Sequence, residues 1–157
     1  MNHQFLRHKA QNVQTYFDGF MSLKIGEIMT KNVITLEGKA TVREAVAIMN
    51  EHGIGCLVVV QEENPIGIIT EGDMLKRVLL EAKDPSTTKV FQIMSAPIVF
   101  GDPHMNIQDA VKLMTEKKIK KLPIIENSRL VGMITLTDLA RSIAYLEHIF
   151  SKMHNDA

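Results

Sequence analysis

Apolar residues fall at Leu6, Ala10, Val13, Phe17 and Met21, in steps of three and four with polar residues between. That stripe predicts an amphipathic helix over residues 1–22. Beyond it the pattern changes. Residues 33–36 form a short apolar stretch that reads as extended chain. Val42, Ala45, Val46 and Met49 then return to the helical period and predict a buried face, and Thr41 and Glu44 just ahead have the spacing of a capping box. Residues 56–60 are an unbroken apolar, β-branched run, too short for a helix and suited to a buried strand. Polar residues and Pro65 over 62–65 mark a turn, residues 66–70 a second strand, and a helix is expected from about Glu71.

This order of strand, helix, strand, strand, helix is written twice. Shifted forward by 65 positions, residues 28–76 fall on residues 93–141 without a gap. Ala45 and Val46 land on Ala110 and Val111, Met49 on Met114, Leu57 on Leu122, Gly67 on Gly132, Thr70 on Thr135 and Asp73 on Asp138. In the second copy residues 98–100 are the expected first strand, Asn106 and Asp109 replace the capping pair, and Ile107, Ala110, Val111 and Met114 form the helix face. Residues 122–125 and 131–135 are the paired strands around a turn at 127–129, and the last helix is expected from near Leu136. A repeat of this kind is one unit that needs its neighbour to bury an apolar face. The expected fold is α+β, with two copies over residues 23–80 and 90–143 packed about a pseudo-two-fold axis. Residues 81–89 read as a linker and residues 144–157 as a C-terminal helix and tail.

At 157 residues and 45% apolar content the chain has enough material for a real core. Its 18 basic and 18 acidic side chains cancel, which argues against a broad nucleic-acid or membrane-surface binder. Cys56 stands alone, so no internal disulfide is available and a reducing compartment is expected. No run approaches the about 18 apolar residues of a membrane helix, and His3, Gln4, Arg7, His8 and Lys9 interrupt any signal-like segment. A cytoplasmic protein is the expectation.

The chemistry sits in the repeated polar residues. Thr70 and Asp73, and again Thr135 and Asp138, place a hydroxyl at a strand end and a carboxylate inside the next helical turn. Unpaired backbone N–H groups at such a point attract anions, a Thr hydroxyl can bond a phosphate oxygen, and an Asp can accept from ribose hydroxyls. Thr-x-x-Asp is equally a helix-capping pair with no ligand involved. Both readings stand at this point. Lys117, Lys118, Lys120 and Lys121 make the second copy basic where the first holds His52, Gly53, Gly55 and Cys56. The run reads either as a solvated helix end or as Lys120 and Lys121 facing a polyphosphate. The six His do not recur between copies or pair at metal spacing, and no metal site is expected. No nucleophile–base pair and no phosphate-cradling glycine loop is present, so no enzyme activity is expected.

Two copies of an apolar strand ending Gly-x-x-Thr-x-x-Asp, with Ile28-Met29-Thr30 ahead of the first and Lys121-Leu122-Pro123-Ile124-Ile125 inside the second, resemble the tandem CBS-domain pair, or Bateman module. The resemblance spans roughly residues 23–143. It implies a stand-alone regulatory CBS protein that binds an adenine nucleotide (AMP, ADP or ATP), with no obligatory cofactor. It implies that Thr70 and Thr135 contact phosphate and that Asp73 and Asp138 contact ribose. The adenine would lie against Ile34 and Cys56 in one copy and Ile98, Val99, Lys121 and Pro123 in the other. It further implies a homodimer, whose target would be an unknown protein; the balanced charge leaves no nucleic acid or membrane as an expected partner. Many relatives carry Arg between the Thr and the Asp. Here Gly72 and Thr137 stand there, which lowers the positive charge near the phosphates, while the basic run at Lys117–Lys121 and Leu122-Pro123 favour the second copy as the phosphate site. The alternative is an interaction scaffold of the same fold whose Thr/Asp pairs serve only as caps and whose terminal helices carry the function.

Overall fold

The computed structural model describes the backbone of residues 3–155, the side chains of residues 11–145 other than Asn12, and that of His148. The elements run α1 (His3–Ser22), α2 (Ile25–Ile28), β1 (Thr35–Glu37), α3 (Val42–His52), β2 (Cys56–Gln61) and β3 (Asn64–Thr70). The one-turn α4 (Glu71–Met74) continues into a π-helical turn (Leu75–Leu79). A 3-10 turn (Val90–Gln92) precedes α5 (Ile107–Glu116), β4 (Lys121–Glu126), β5 (Arg129–Thr135) and the long α6 (Leu136–Asn155). The fold is α+β. β1 runs parallel to β2, β2 pairs antiparallel with β3, and β4 pairs with β5 in a separate two-stranded sheet.

Several local features follow the sequence pattern. Thr41 caps α3: its hydroxyl accepts from the Glu44 N–H at 3.2 Å, and Glu44 Oε2 accepts from the Thr41 N–H at 2.6 Å. In the second copy the cap is half made, with Asn106 accepting from the Asp109 N–H at 2.8 Å. Ile107, Ala110 and Met114 are buried on α5, and Val42, Ala45 and Met49 on α3.

Val46, expected on the buried face, is 46% exposed. At about 100° per residue the arc centred on Ala45 takes in Val42, Ile48 and Met49 and leaves Val46 at its edge. Ile48 packs against the core in its stead. On α1 the apolar stripe faces outward at Val13 and Phe17, while Phe20 is buried. The side chains of Leu6 and Ala10 lie outside the described residues.

The expected strand at 98–100 does not form. In the first copy the Gly38 N–H donates to the Val60 carbonyl at 3.1 Å, directly after β1. The second copy has Pro103 in that place, with no N–H to give. The hairpin turns are also tighter than expected. Glu62-Glu63 and Asn127-Ser128 all have positive φ, so two residues make each turn, and the strands extend back to Asn64 and Arg129. Pro65 therefore lies within β3, opposite Val60 at a register shift, where its missing N–H is tolerated.

The two copies exchange their leading segments. Ser95 and Ile68 trade backbone bonds at 2.8 and 3.1 Å, and Thr30 and Met133 do the same at 2.9 Å each way. The pairs differ by the repeat period: Ser95 replaces Thr30, and Met133 replaces Ile68. Likewise Val42 donates to Thr88 and Ile107 to Leu23, so each helix start is met by the other copy's lead-in. The stretch expected as a linker is thus ordered. Pro85 and Thr88 accept the first N–H groups of α3, and Asp84 accepts from Ser86 and Thr88.

The chain divides into two compact units, one of residues 30–100 with 123–133, the other of residues 1–29, 101–122 and 134–157. In the first unit the sheet has a core on each face. Leu57, Val59 and Ile69 turn toward α3, and Cys56 and Val58 turn the other way to meet Met133. In the second unit Ile25, Ile107, Met114, Leu122 and Ile134 are almost wholly buried. Each such side chain removed from water contributes about 1.5–3 kcal/mol.

Candidate functional site

β3 ends at Thr70 and the chain turns at once into α4, which brings Asp73 back onto Thr70. Asp73 Oδ2 accepts from the Thr70 N–H at 2.9 Å and from its hydroxyl at 2.8 Å, and the Thr70 hydroxyl accepts from the Asp73 N–H at 3.3 Å. The other oxygen, Oδ1, accepts from the Ser95 hydroxyl at 3.2 Å and lies 3.5 Å from the Arg77 guanidinium. Arg77 in turn donates to the carbonyls of Ile93 and Met94 at 2.7 and 2.8 Å. The carboxylate is only 12% exposed. The motif Asp is therefore tied to the leading segment of the other copy.

The glycine of the motif has a packing cause. A Cβ on Gly67 would lie 2.7 Å from Met94 Sδ and 2.9 Å from the Ser95 carbonyl oxygen. Only hydrogen lets residues 94–95 approach β3 closely enough to pair with Ile68.

The second unit carries the same device. Asp138 Oδ2 accepts from the Thr135 N–H at 3.0 Å and its hydroxyl at 2.7 Å, and the Thr135 hydroxyl accepts from the Asp138 N–H at 3.1 Å. Both side-chain bonds to Asp138 among the described residues use Oδ2. Ser142 stands where the first copy has Arg77, and its hydroxyl folds back onto the Asp138 carbonyl at 2.9 Å. The Leu136 N–H donates to the Lys120 carbonyl at 3.0 Å, as Glu71 does to Gly55 at 3.2 Å. The backbone of Lys120 is thereby fixed beside the Thr135–Asp138 pair. Lys120 is exposed and Lys121 half-buried.

The remaining predicted residues divide between the sheet faces. Cys56 is the register partner of Thr70 on β2, buried with its sulfur 3.6 Å from Met133 Sδ. Ile98 packs into that same cluster, together with Val33. Ile34 packs into the cluster on the α3 side. Val99 is half-buried and Pro123 buried. Arg77 and Ser95 escaped the sequence reading, because neither recurs between copies and Ser95 lies 22 residues from its partner. Every buried side-chain nitrogen and oxygen among the described residues has a hydrogen-bond partner, so a ligand here competes with bonds already made. The described residues contain no group of three metal-ligating side chains and no helix long and apolar enough to cross a membrane.

With the duplicated Thr–Asp geometry in view, comparison with known proteins gives the family. The CBS domain matches at residues 25–80 and again at 90–145, and the chain belongs to the CBS-domain family as a tandem pair. It is 39% identical over 127 residues to an uncharacterized protein of Methanopyrus kandleri, covering 80% of this chain and 65% of that protein. It is 34% identical over 116 residues to the CBS domain-containing protein YhcV of Bacillus subtilis, covering 74% of this chain and 82% of that one. A solved structure of the CBS domain pair of protein MJ0100, in complex with 5′-methylthioadenosine and S-adenosyl-L-methionine, superposes with a TM-score of 0.71. The two are 25% identical, over 78% of this chain and 96% of that one.

Proposed function

We propose that this chain is a regulatory module that binds an adenine nucleotide, AMP, ADP or ATP, through its Thr–Asp pairs and alters its conformation or partner surface in response. The observation that carries the reading is the Thr–Asp pair itself, set at the same backbone position on both CBS repeats. Thr70 and Thr135 are assigned to phosphate, and Asp73 and Asp138 to ribose hydroxyls. Lys120, whose backbone carbonyl is held by the Leu136 N–H next to Thr135, supports the second copy as the stronger phosphate site. The module acts in the cytoplasm as a homodimer on a protein target and catalyses no reaction. The exposed Leu75, Leu79 and Leu80, on one turn of chain after Asp73, support a partner copy there.

A ligand moves a conformational equilibrium only through unequal affinity for its two states. In the first copy that inequality has a physical source. A ribose hydroxyl on Asp73 Oδ1 competes with Ser95 and Arg77, which hold residues 93–95. Binding there loosens the leading segment of the second repeat, and withdrawal restores it.

A specific observation favours a second reading. Both Thr–Asp pairs are complete helix caps without any ligand. Under that reading the module is a dimerisation scaffold with empty clefts. Melting curves with AMP, ADP, ATP and S-adenosylmethionine, for wild type and Asp138→Ala, separate the two. Ligand at a hundredfold over its Kd adds about 2.7 kcal/mol of stability. The sensor reading predicts a shift in wild type that Asp138→Ala diminishes. No shift with any of the four at millimolar concentration leaves the scaffold.

A further inference from the structure

We infer that Glu71 sets the ligand charge that the first copy accepts, turning its Thr70–Asp73 site against phosphate and toward uncharged adenosyl compounds. The inference deepens the nucleotide reading above and rests on it. Its starting point is a pair of equivalent backbone bonds. Glu71 N–H to Gly55 carbonyl in one copy corresponds to Leu136 N–H to Lys120 carbonyl in the other. These bonds put Gly55 and Glu71 in the places of Lys120 and Leu136.

The two pairs carry opposite charge at the same point. In the first copy Gly55 offers no side chain and the Glu71 carboxylate lies over its backbone. A Cβ built on Gly55 would be 2.8 Å from Glu71 Oε2 and 3.0 Å from its Cδ. In the second copy Lys120 holds the place of Gly55, and Leu136 replaces the acid. Glu71 directly follows Thr70, the residue assigned to phosphate, and its carboxylate lies over Gly55, which immediately precedes Cys56, the register partner of Thr70. A phosphate oxygen on the Thr70 hydroxyl therefore meets a neighbouring carboxylate, a like-charge contact that weakens binding. Arg77 does not neutralise it. Its guanidinium is committed to the Ile93 and Met94 carbonyls and to Asp73. Gly72, exposed beside Thr70, supplies no cation either.

The test isolates the first copy by placing Asp138→Ala in the full chain and titrates it calorimetrically with AMP and with adenosine, which differ by the phosphate alone. Adenosine is expected to bind at least as tightly as AMP. Glu71→Gln, which keeps size and fold, is expected to raise AMP affinity several-fold, and Gly55→Lys with Glu71→Leu by about tenfold or more. Adenosine affinity is expected to stay within about twofold throughout, since an uncharged ligand feels little of the exchanged charge. Removing the Glu71 carboxylate also clears the space the new Cβ needs. If adenosine binds but AMP affinity is the same in all three chains, Glu71 does not select ligand charge, while the nucleotide site itself survives. If neither compound binds even the wild-type chain, the nucleotide reading falls and this inference with it.

Discussion

The two Thr–Asp pairs share their cap and differ in what holds the carboxylate. Asp73 spends both oxygens, one on Thr70 and one on Ser95 with Arg77 close by. Asp138 makes its side-chain bonds through Oδ2, and the residue in Arg77's place is a serine that bonds backward along its own helix. Duplication kept what the fold needs, since a strand-to-helix turn without its cap loses about 1 kcal/mol. Divergence fell on the groups around it. The lesson is that the repeated residues mark the candidate site, and the unrepeated ones set what holds each carboxylate.

The sharpest way to break this comparison is at Gly67. Gly67→Ala drives a methyl against Met94 and the Ser95 carbonyl and is expected to lower stability by about 1–3 kcal/mol in chemical denaturation. Gly72→Ala, whose Cβ would find only the Thr70 hydroxyl at 3.6 Å, is expected to leave the midpoint nearly unmoved. Equal losses at the two glycines would remove the close approach of residues 94–95 from the account. Arg77→Ala comes next. It gives up two charge-assisted bonds to the leading segment, and the side chain is 43% exposed, so about 1–2 kcal/mol is expected. Ser142→Ala at the matching position should cost a few tenths by the same measurement.

Smaller effects sharpen the shared part. Thr70→Ala and Thr135→Ala should each cost about 1 kcal/mol without ligand, and a large disparity would show that the caps are not equivalent. The smallest effect concerns Glu44, which completes a capping box that the second copy only half forms. The Thr41 N–H, then the Thr41 hydroxyl, and more weakly Lys89 hold the Glu44 carboxyl below its usual range. A depressed folded-state pKa stabilises above the unfolded pKa and is lost as pH falls through the folded one. Glu44→Gln should therefore melt below wild type at neutral pH, with the gap closing as acid protonates Glu44. A gap that persists into acid would assign the difference to something other than the ionised carboxylate.

Much of this was legible in the chain because its causes are local or periodic. The 65-residue shift, the Thr41–Glu44 box and the buried faces at Val42, Ala45 and Met49 follow from spacing. The exchanged leading segments did not show, because no local pattern reports that Ser95 pairs with Ile68 or Thr30 with Met133. The tight hairpin at Glu62-Glu63 was hidden by residues that seldom adopt positive φ, so Pro65 drew the turn to itself. At the site, the Thr and Asp announced themselves by repetition. Arg77 and Ser95 did not, since one side chain reaches across 16 residues and the other across 22. The mismatch of Gly55 against Lys120 was visible in the sequence. That Glu71 lies over Gly55 was not, because it depends on the bond between their backbones.

The central claim is that the two copies are unequal sites for one family of ligands. Calorimetric titration of AMP into wild type, Asp73→Asn and Asp138→Asn tests it most directly. The account predicts one strong phosphate-dependent site in wild type, retained in Asp73→Asn and lost in Asp138→Asn. Binding retained in Asp138→Asn and lost in Asp73→Asn, or two equal strong sites in wild type, would contradict it.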